Sequence, residues 1–135
     1  MSINKATIYT DGAARGNPGP AAIGVVIKDE TGKVVATIAQ CLGTTTNNQA
    51  EYRAIIAGLE KAISLGAHQV IIKSDSELVV KQLNGLYRVK HVALRPLYLE
   101  VLRLTGALEG FNISYIPRTQ NTAADALANQ ALDGL

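Results

Sequence analysis

Strand-forming runs fill the first third of this chain, and near residue 45 the apolar pattern turns helical. That one switch limits the fold more than any other feature. Residues 6–11 (Ala-Thr-Ile-Tyr-Thr-Asp) read as a strand broken by Gly12, and residues 22–28 as a second. Asp29-Glu30-Thr31-Gly32 is a hairpin turn into a third strand at about 33–42, so three short-linked strands make an antiparallel meander. Thr45-Thr46-Asn47-Asn48 then offers helix-capping oxygens, and Glu51 to Leu65 carries apolar residues at helical spacing until Gly66 stops it. A strand follows at 69–74, then a short helix capped by Ser76 to about Leu83 and an irregular stretch at 84–96. A helix from Pro96 to about Leu104, a strand at 111–116 ended by Pro117, and a helix from about Asn121 to Leu132 complete the chain. Strand, helix, strand in succession calls for a right-handed crossover between parallel neighbours. The predicted fold is α/β: a mixed five-stranded sheet, three antiparallel strands followed by parallel additions, flanked by helices.

With 135 residues, no internal repeat and no linker, residues 1–135 read as a single domain with a core of its own. A composition 47% hydrophobic and only 18% charged excludes intrinsic disorder. No run approaches the roughly 20 apolar residues of a bilayer crossing. The opening Met1-Ser2-Ile3-Asn4-Lys5 has no apolar leader, from which a cytoplasmic location is expected. One cysteine, Cys41, allows neither an internal disulfide nor a Cys-rich zinc site. Five Tyr, one Phe and no Trp give little for stacking single-stranded bases.

Asp11 closes the first strand and Asp75 directly follows the fourth. If those strands are parallel neighbours, both carboxylates emerge at one carboxyl-terminal sheet edge, where open α/β sheets build their sites. Either alone suits a turn or cap. Glu51 heads the stripe Glu51, Ile55, Leu59, Ile63, so it sits in the first turn of its helix on the buried face. A first-turn acid that only complements the helix dipole would face water, whereas a buried one needs a partner such as a metal. Asp125 repeats the pattern ahead of Ala128 and Leu132. Four acids aimed at one place repel each other unless cations share them, and carboxylates without His or Cys suit Mg²⁺ or Mn²⁺. With these four of the 11 acids set aside, seven face 13 basic residues, so a net charge of +2 hides an acidic site on a basic body. Such a body fits a polyanionic substrate.

Four segments, in this order, resemble type 1 ribonuclease H. They are Tyr-Thr-Asp-Gly-Ala-Ala-Arg-Gly-Asn-Pro-Gly (9–19), Thr-Thr-Asn-Asn-Gln-Ala-Glu-Tyr (45–52), Ser-Asp-Ser-Glu-Leu-Val (74–79) and Ile-Pro-Arg-Thr-Gln-Asn-Thr-Ala-Ala-Asp (116–125). The resemblance spans nearly the whole chain and implies the mixed sheet already read from the pattern. It implies a metal-dependent endonuclease that hydrolyses the RNA strand of RNA–DNA hybrids, leaving 5′-phosphate and 3′-hydroxyl ends. By the same resemblance Asp11, Glu51, Asp75 and Asp125 hold two Mg²⁺ ions, with Mn²⁺ as a substitute. One ion activates water and the other stabilises the leaving 3′ oxygen. Asn17, Asn47, Asn48 and Glu77 match positions that contact bases and ribose, where a 2′-hydroxyl distinguishes RNA from DNA. Thr46 matches a position gripping a DNA-strand phosphate, although Thr46 and Asn47 also suit ordinary helix caps. Glycines 12, 16 and 19 let a sugar–phosphate chain approach the backbone.

Two departures stand out. Many members carry a histidine before the last helix, whereas residues 117–124 contain none, and His68 and His91 read as surface residues. Arg118 occupies that loop; it is either a phosphate-steadying catalytic residue or a plain surface arginine, and guanidinium cannot serve as a base. The long basic, Trp-containing protrusion of several relatives is here the short stretch Asn84 to Pro96, with Tyr87 as its one aromatic, so hybrid affinity should be modest and salt-dependent. A start at Met1 and an end soon after the last helix favour a free-standing, monomeric enzyme over a domain cut from a reverse transcriptase. Retention of all four acids argues against a silent binding module. Activity at RNA–DNA junctions or on double-stranded RNA stays open.

Overall fold

In the computed structural model, which describes residues 3–134, the expected elements form in the expected order. β1 (Lys5–Ala14), β2 (Gly19–Lys28) and β3 (Val34–Thr45) are the antiparallel meander. α1 (Asn47–Ser64), β4 (Gln69–Ser74), α2 (Glu77–Leu83), α3 (Arg95–Thr105), β5 (Gly110–Tyr115) and α4 (Thr122–Asp133) follow, with a 3-10 turn at Arg118–Gln120. The sheet runs β3-β2-β1-β4-β5, and β1–β4 and β4–β5 are parallel. Among the described residues no helix is long and apolar enough to cross a membrane. Met1 and Ser2, where the leaderless reading begins, lie outside the described residues.

β2 begins at Gly19 rather than 22 and β3 runs on to Thr45, and two further boundaries that differ from the sequence reading matter to the site. β1 is not broken at Gly12: it runs on to Ala14, pairing Gly12 with Ile23 and Ala14 with Ala21 of β2. Gly12 stays in the ladder because its missing side chain makes room for α1, not because the chain turns there. α1 begins at Asn47, since the Thr46 hydroxyl accepts the Gln49 amide at 3.2 Å and caps the helix. Glu51 is therefore the fifth residue of the helix rather than a first-turn acid, one step deeper against the sheet.

α1 buries Ile55 and Leu59 in a core shared with Ile8, Val25, Ile27 and Ile72. Each such side chain contributes about 1.5–3 kcal/mol on leaving water. α4 covers the opposite face, lying mainly across β2. Sandwiched between two helical layers, β2 is buried along most of its length, which is why Ala-Ala-Ile-Gly-Val-Val-Ile lacks an apolar–polar alternation.

Gly24, the β2 partner of Asp11, is where α4 approaches closest: an added Cβ would lie 1.9 Å from the Ala124 carbonyl oxygen and 2.7 Å from the Ala128 nitrogen. Backbone atoms cannot rotate aside, so Gly24→Ala must lift α4. The expected loss is about 3 kcal/mol, read as a fall of roughly 10 °C in the thermal midpoint.

Candidate active site

The parallel pairing of β1 with β4 ends at Thr10 and Ser74, so Asp11 and Asp75 follow it side by side at the carboxyl end of β4, Asp75 leaving the sheet and Asp11 staying paired with Gly24 of β2. α1 delivers Glu51 from one layer, and the first turn of α4 delivers Asp125 from the other. One carboxylate oxygen from each of Asp11, Glu51 and Asp75 lies within 4.8 Å of the other two. Glu51 is aimed by the Gly12 amide, which donates to its Oε1 at 2.5 Å, so the unbroken strand itself orients the acid. The four carboxylates line one cleft of about 370 Å³.

Burial raises the Asp11 carboxyl to about 8, helped by the charges of Asp75 and Asp125, with the Arg118 guanidinium opposing weakly. Glu51 is pushed well above the usual carboxylate range, first by burial and then by Asp11, against the pull of the Gly12 amide. Asp11 and Glu51 therefore resist ionising side by side without a cation. Their donors are oxygens only and their mutual repulsion is relieved by a shared positive charge, so the set fits a hard divalent cation.

Arg118, in the 3-10 turn, reaches Asp125 at 3.6 Å and is 80% exposed, free to move toward a ligand. Asn47 and Asn48 line the cleft. Asn47 also knits α1 to the β1–β2 connection: its Oδ1 accepts the Ala14 amide at 2.8 Å and its amide donates to Asn17 Oδ1 at 3.0 Å. Thr46 caps α1, a role compatible with a phosphate contact at the same helix end. Glu77 stands apart, exposed and paired with Lys81 at 2.7 Å on its own helix. His68 and His91 are both exposed, as read from the sequence.

One participant was not legible as such. Asn121 seemed the start of the last helix, but its side chain makes no cap. It is instead buried, donating through Nδ2 to the Thr10 carbonyl at 2.8 Å and to Asp75 Oδ2 at 3.0 Å. It thereby ties β1, β4 and the start of α4 together and holds Asp75 in place. Its spacing of four from Asp125 is the one signal in the sequence, and the same spacing is common among ordinary caps.

Residues 9–131 match a family model described as reverse transcriptase-like. The crystal structure of ribonuclease H1 from Halobacterium salinarum superposes with a TM-score of 0.95 at 42% identity, covering 98% of this chain and 100% of that one. The chain belongs to the ribonuclease H family. Halobacterium salinarum ribonuclease HI is 45% identical over 125 residues, 93% of this chain and 63% of that protein. A Mycobacterium tuberculosis protein named as bifunctional is 45% identical over 130 residues, 96% of this chain and 36% of the relative. This chain thus spans about a third to two thirds of those family members. A second family structure, LC11-ribonuclease H1 from compost in complex with an RNA/DNA hybrid, has a TM-score of 0.91 at 41% identity, covering 96% and 97% of the two chains.

Proposed function

We propose that this chain is an endonuclease that hydrolyses the RNA strand of RNA–DNA hybrids with two Mg²⁺ ions, Mn²⁺ substituting, and leaves 5′-phosphate and 3′-hydroxyl ends. One observation carries it: Asp11, Glu51 and Asp75 meet within 4.8 Å at a sheet edge, with Asp125 beside them in an open cleft. Family membership and the hybrid-bound relative support the substrate class.

Asp11, Glu51, Asp75 and Asp125 would hold the ions. The chemistry that bound divalent ions supply is activation of the attacking water and neutralisation of charge on the leaving oxygen. The protein's own contribution is positioning. The Gly12 amide fixes the buried Glu51, and Asn121 fixes Asp75. Asn17 and Asn47, joined across the β1–β2 connection, and the neighbouring Asn48 present a polar edge to the hybrid's minor groove, where the 2′-hydroxyl is read. Glu77 sits outside the cleft, so any ribose contact it makes lies farther along the hybrid.

Arg118 steadies a phosphate near the scissile bond by exchanging Asp125 for it. Arg118→Ala should lower kcat roughly tenfold with KM changed less than about twofold. A rise in KM at constant kcat would make it a mere anchor.

The test of the whole is cleavage of one sequence as hybrid, duplex RNA, duplex DNA and a junction-containing duplex, with and without divalent ions. Cutting of the hybrid's RNA strand that needs Mg²⁺ or Mn²⁺ is the expected result. An intact hybrid under both ions overturns the proposal; cutting of the duplex RNA or junction would extend the substrate range.

A further inference from the structure

Two arginines line the cleft, and each is held by an acid of α4. Arg118 pairs with Asp125 in the first turn, and Arg15 pairs with Asp133 in the last, Nη2 to Oδ1 at 2.5 Å. The two acids are eight residues apart, about 12 Å along the helix at 1.5 Å per residue. Arg15 follows β1 directly, and the backbone around it is pinned: its amide donates to the Pro20 carbonyl at 2.8 Å and the preceding Ala14 amide to Asn47 Oδ1 at 2.8 Å. Its side chain is not pinned. The partners are 50% and 68% exposed, and an ion pair so open to water is weakly held.

The geometry points to Arg15 as a second phosphate clamp for the hybrid backbone, kept in place by Asp133 in the free protein and transferred to a phosphate away from the scissile bond on binding. The assignment rests on the nuclease reading above. A guanidinium on a fixed backbone needs only side-chain rotation to make the change. The planar fork pairs with a phosphate through two parallel hydrogen bonds, whereas a single Nη2–Oδ1 contact joins it to Asp133. A cleft lined by four carboxylates also gains from any cation that faces the incoming polyanion.

The experiment is fluorescence anisotropy of a labelled hybrid across a salt series, in the non-cleaving Asp11→Asn background, with Arg15→Ala, Asp133→Asn and the combined variant. Arg15→Ala should weaken binding about tenfold and lower the slope of log K against log salt by about one. Asp133→Asn should tighten binding severalfold, and only while Arg15 is present, because its effect is release of Arg15. Equal tightening with and without Arg15 means that Asp133 acts by diffuse repulsion and overturns the proposal. So does an unchanged affinity and slope in Arg15→Ala, which leaves the pair a brace between the β1–β2 connection and α4. Wild-type cleavage measured alongside separates the cases: a cutting enzyme with unmoved affinities defeats the clamp alone, and a chain that does not cut defeats the nuclease reading.

Discussion

Asp11→Asn is expected to lower the proposed hybrid cleavage at least about 10³-fold, roughly 4 kcal/mol of barrier, and at the same time to stabilise the metal-free protein near neutral pH. Both effects have one origin. Asp11 sits under Gly24 and α4 with Asp75 and Asp125 around it, and burial followed by those charges raises its carboxyl from 3.8 to about 8. The folded chain therefore keeps a proton that the unfolded chain releases near pH 4. Between about pH 4 and pH 8 the folded state binds more protons, so stability without metal falls as pH rises through that window and is greatest below it. Melting in chelator from pH 5 to pH 8 should show the decline, and Asp11→Asn, which has nearly the same shape and no charge to bury, should make it shallower, with buried Glu51 supplying what slope remains. Millimolar Mg²⁺ should restore the wild type at pH 8 more than the variant, because only the wild type gains a fully charged donor. Cleavage within about tenfold of wild type would remove Asp11 from the metal site, and parallel pH slopes for the two proteins would show that its carboxyl does not hold the proton.

Gly12→Ala is expected to damage fold and activity together. An added Cβ would lie 2.2 Å from the Ala50 carbonyl carbon and 2.3 Å from the Glu51 nitrogen, both main chain. At Gly58 the nearest atoms are the Ile8 and Val25 side chains, whose rotamers can adjust; at Gly12 only movement of α1 away from β1 relieves the clash. That movement opens the most closely packed part of the core and breaks the Gly12 amide's bond to Glu51 Oε1. A loss of 3 kcal/mol or more is expected, larger than ordinary overpacking because nothing flexible absorbs it. Activity measured well below the melting point should fall by at least about a hundredfold, since Glu51 loses its aim. A variant that melts within about 1 kcal/mol of wild type would show that α1 can move off β1 at little cost.

Local geometry made much of this protein readable from its sequence. Asp75 directly follows its strand and Asp11 lies near the end of its own, so the two could be placed together once their strands were taken as parallel neighbours, although β1 runs on to Ala14. An acid in register with Ile55 and Leu59 faces inward whatever the helix packs on, so Glu51 could be assigned to the interior. Both inferences follow from periods of two and 3.6, which the chain carries within a few residues. Asn121 escaped because a short polar residue before a helix looks the same whether it caps the helix or reaches across to Asp75. Gly12 looked like a strand breaker because sequence shows a missing side chain but not the helix that needs the gap. Glu77 could not be excluded from the cleft until the exit of α2 was known, and the Arg15–Asp133 pair joins residues 118 positions apart. The chain alone determined which side chains are acidic, where each sits in its own element and which face it presents. Tertiary structure decided which atoms from distant elements come within hydrogen-bonding range, because those distances depend on how sheet and helices pack and no local period encodes them.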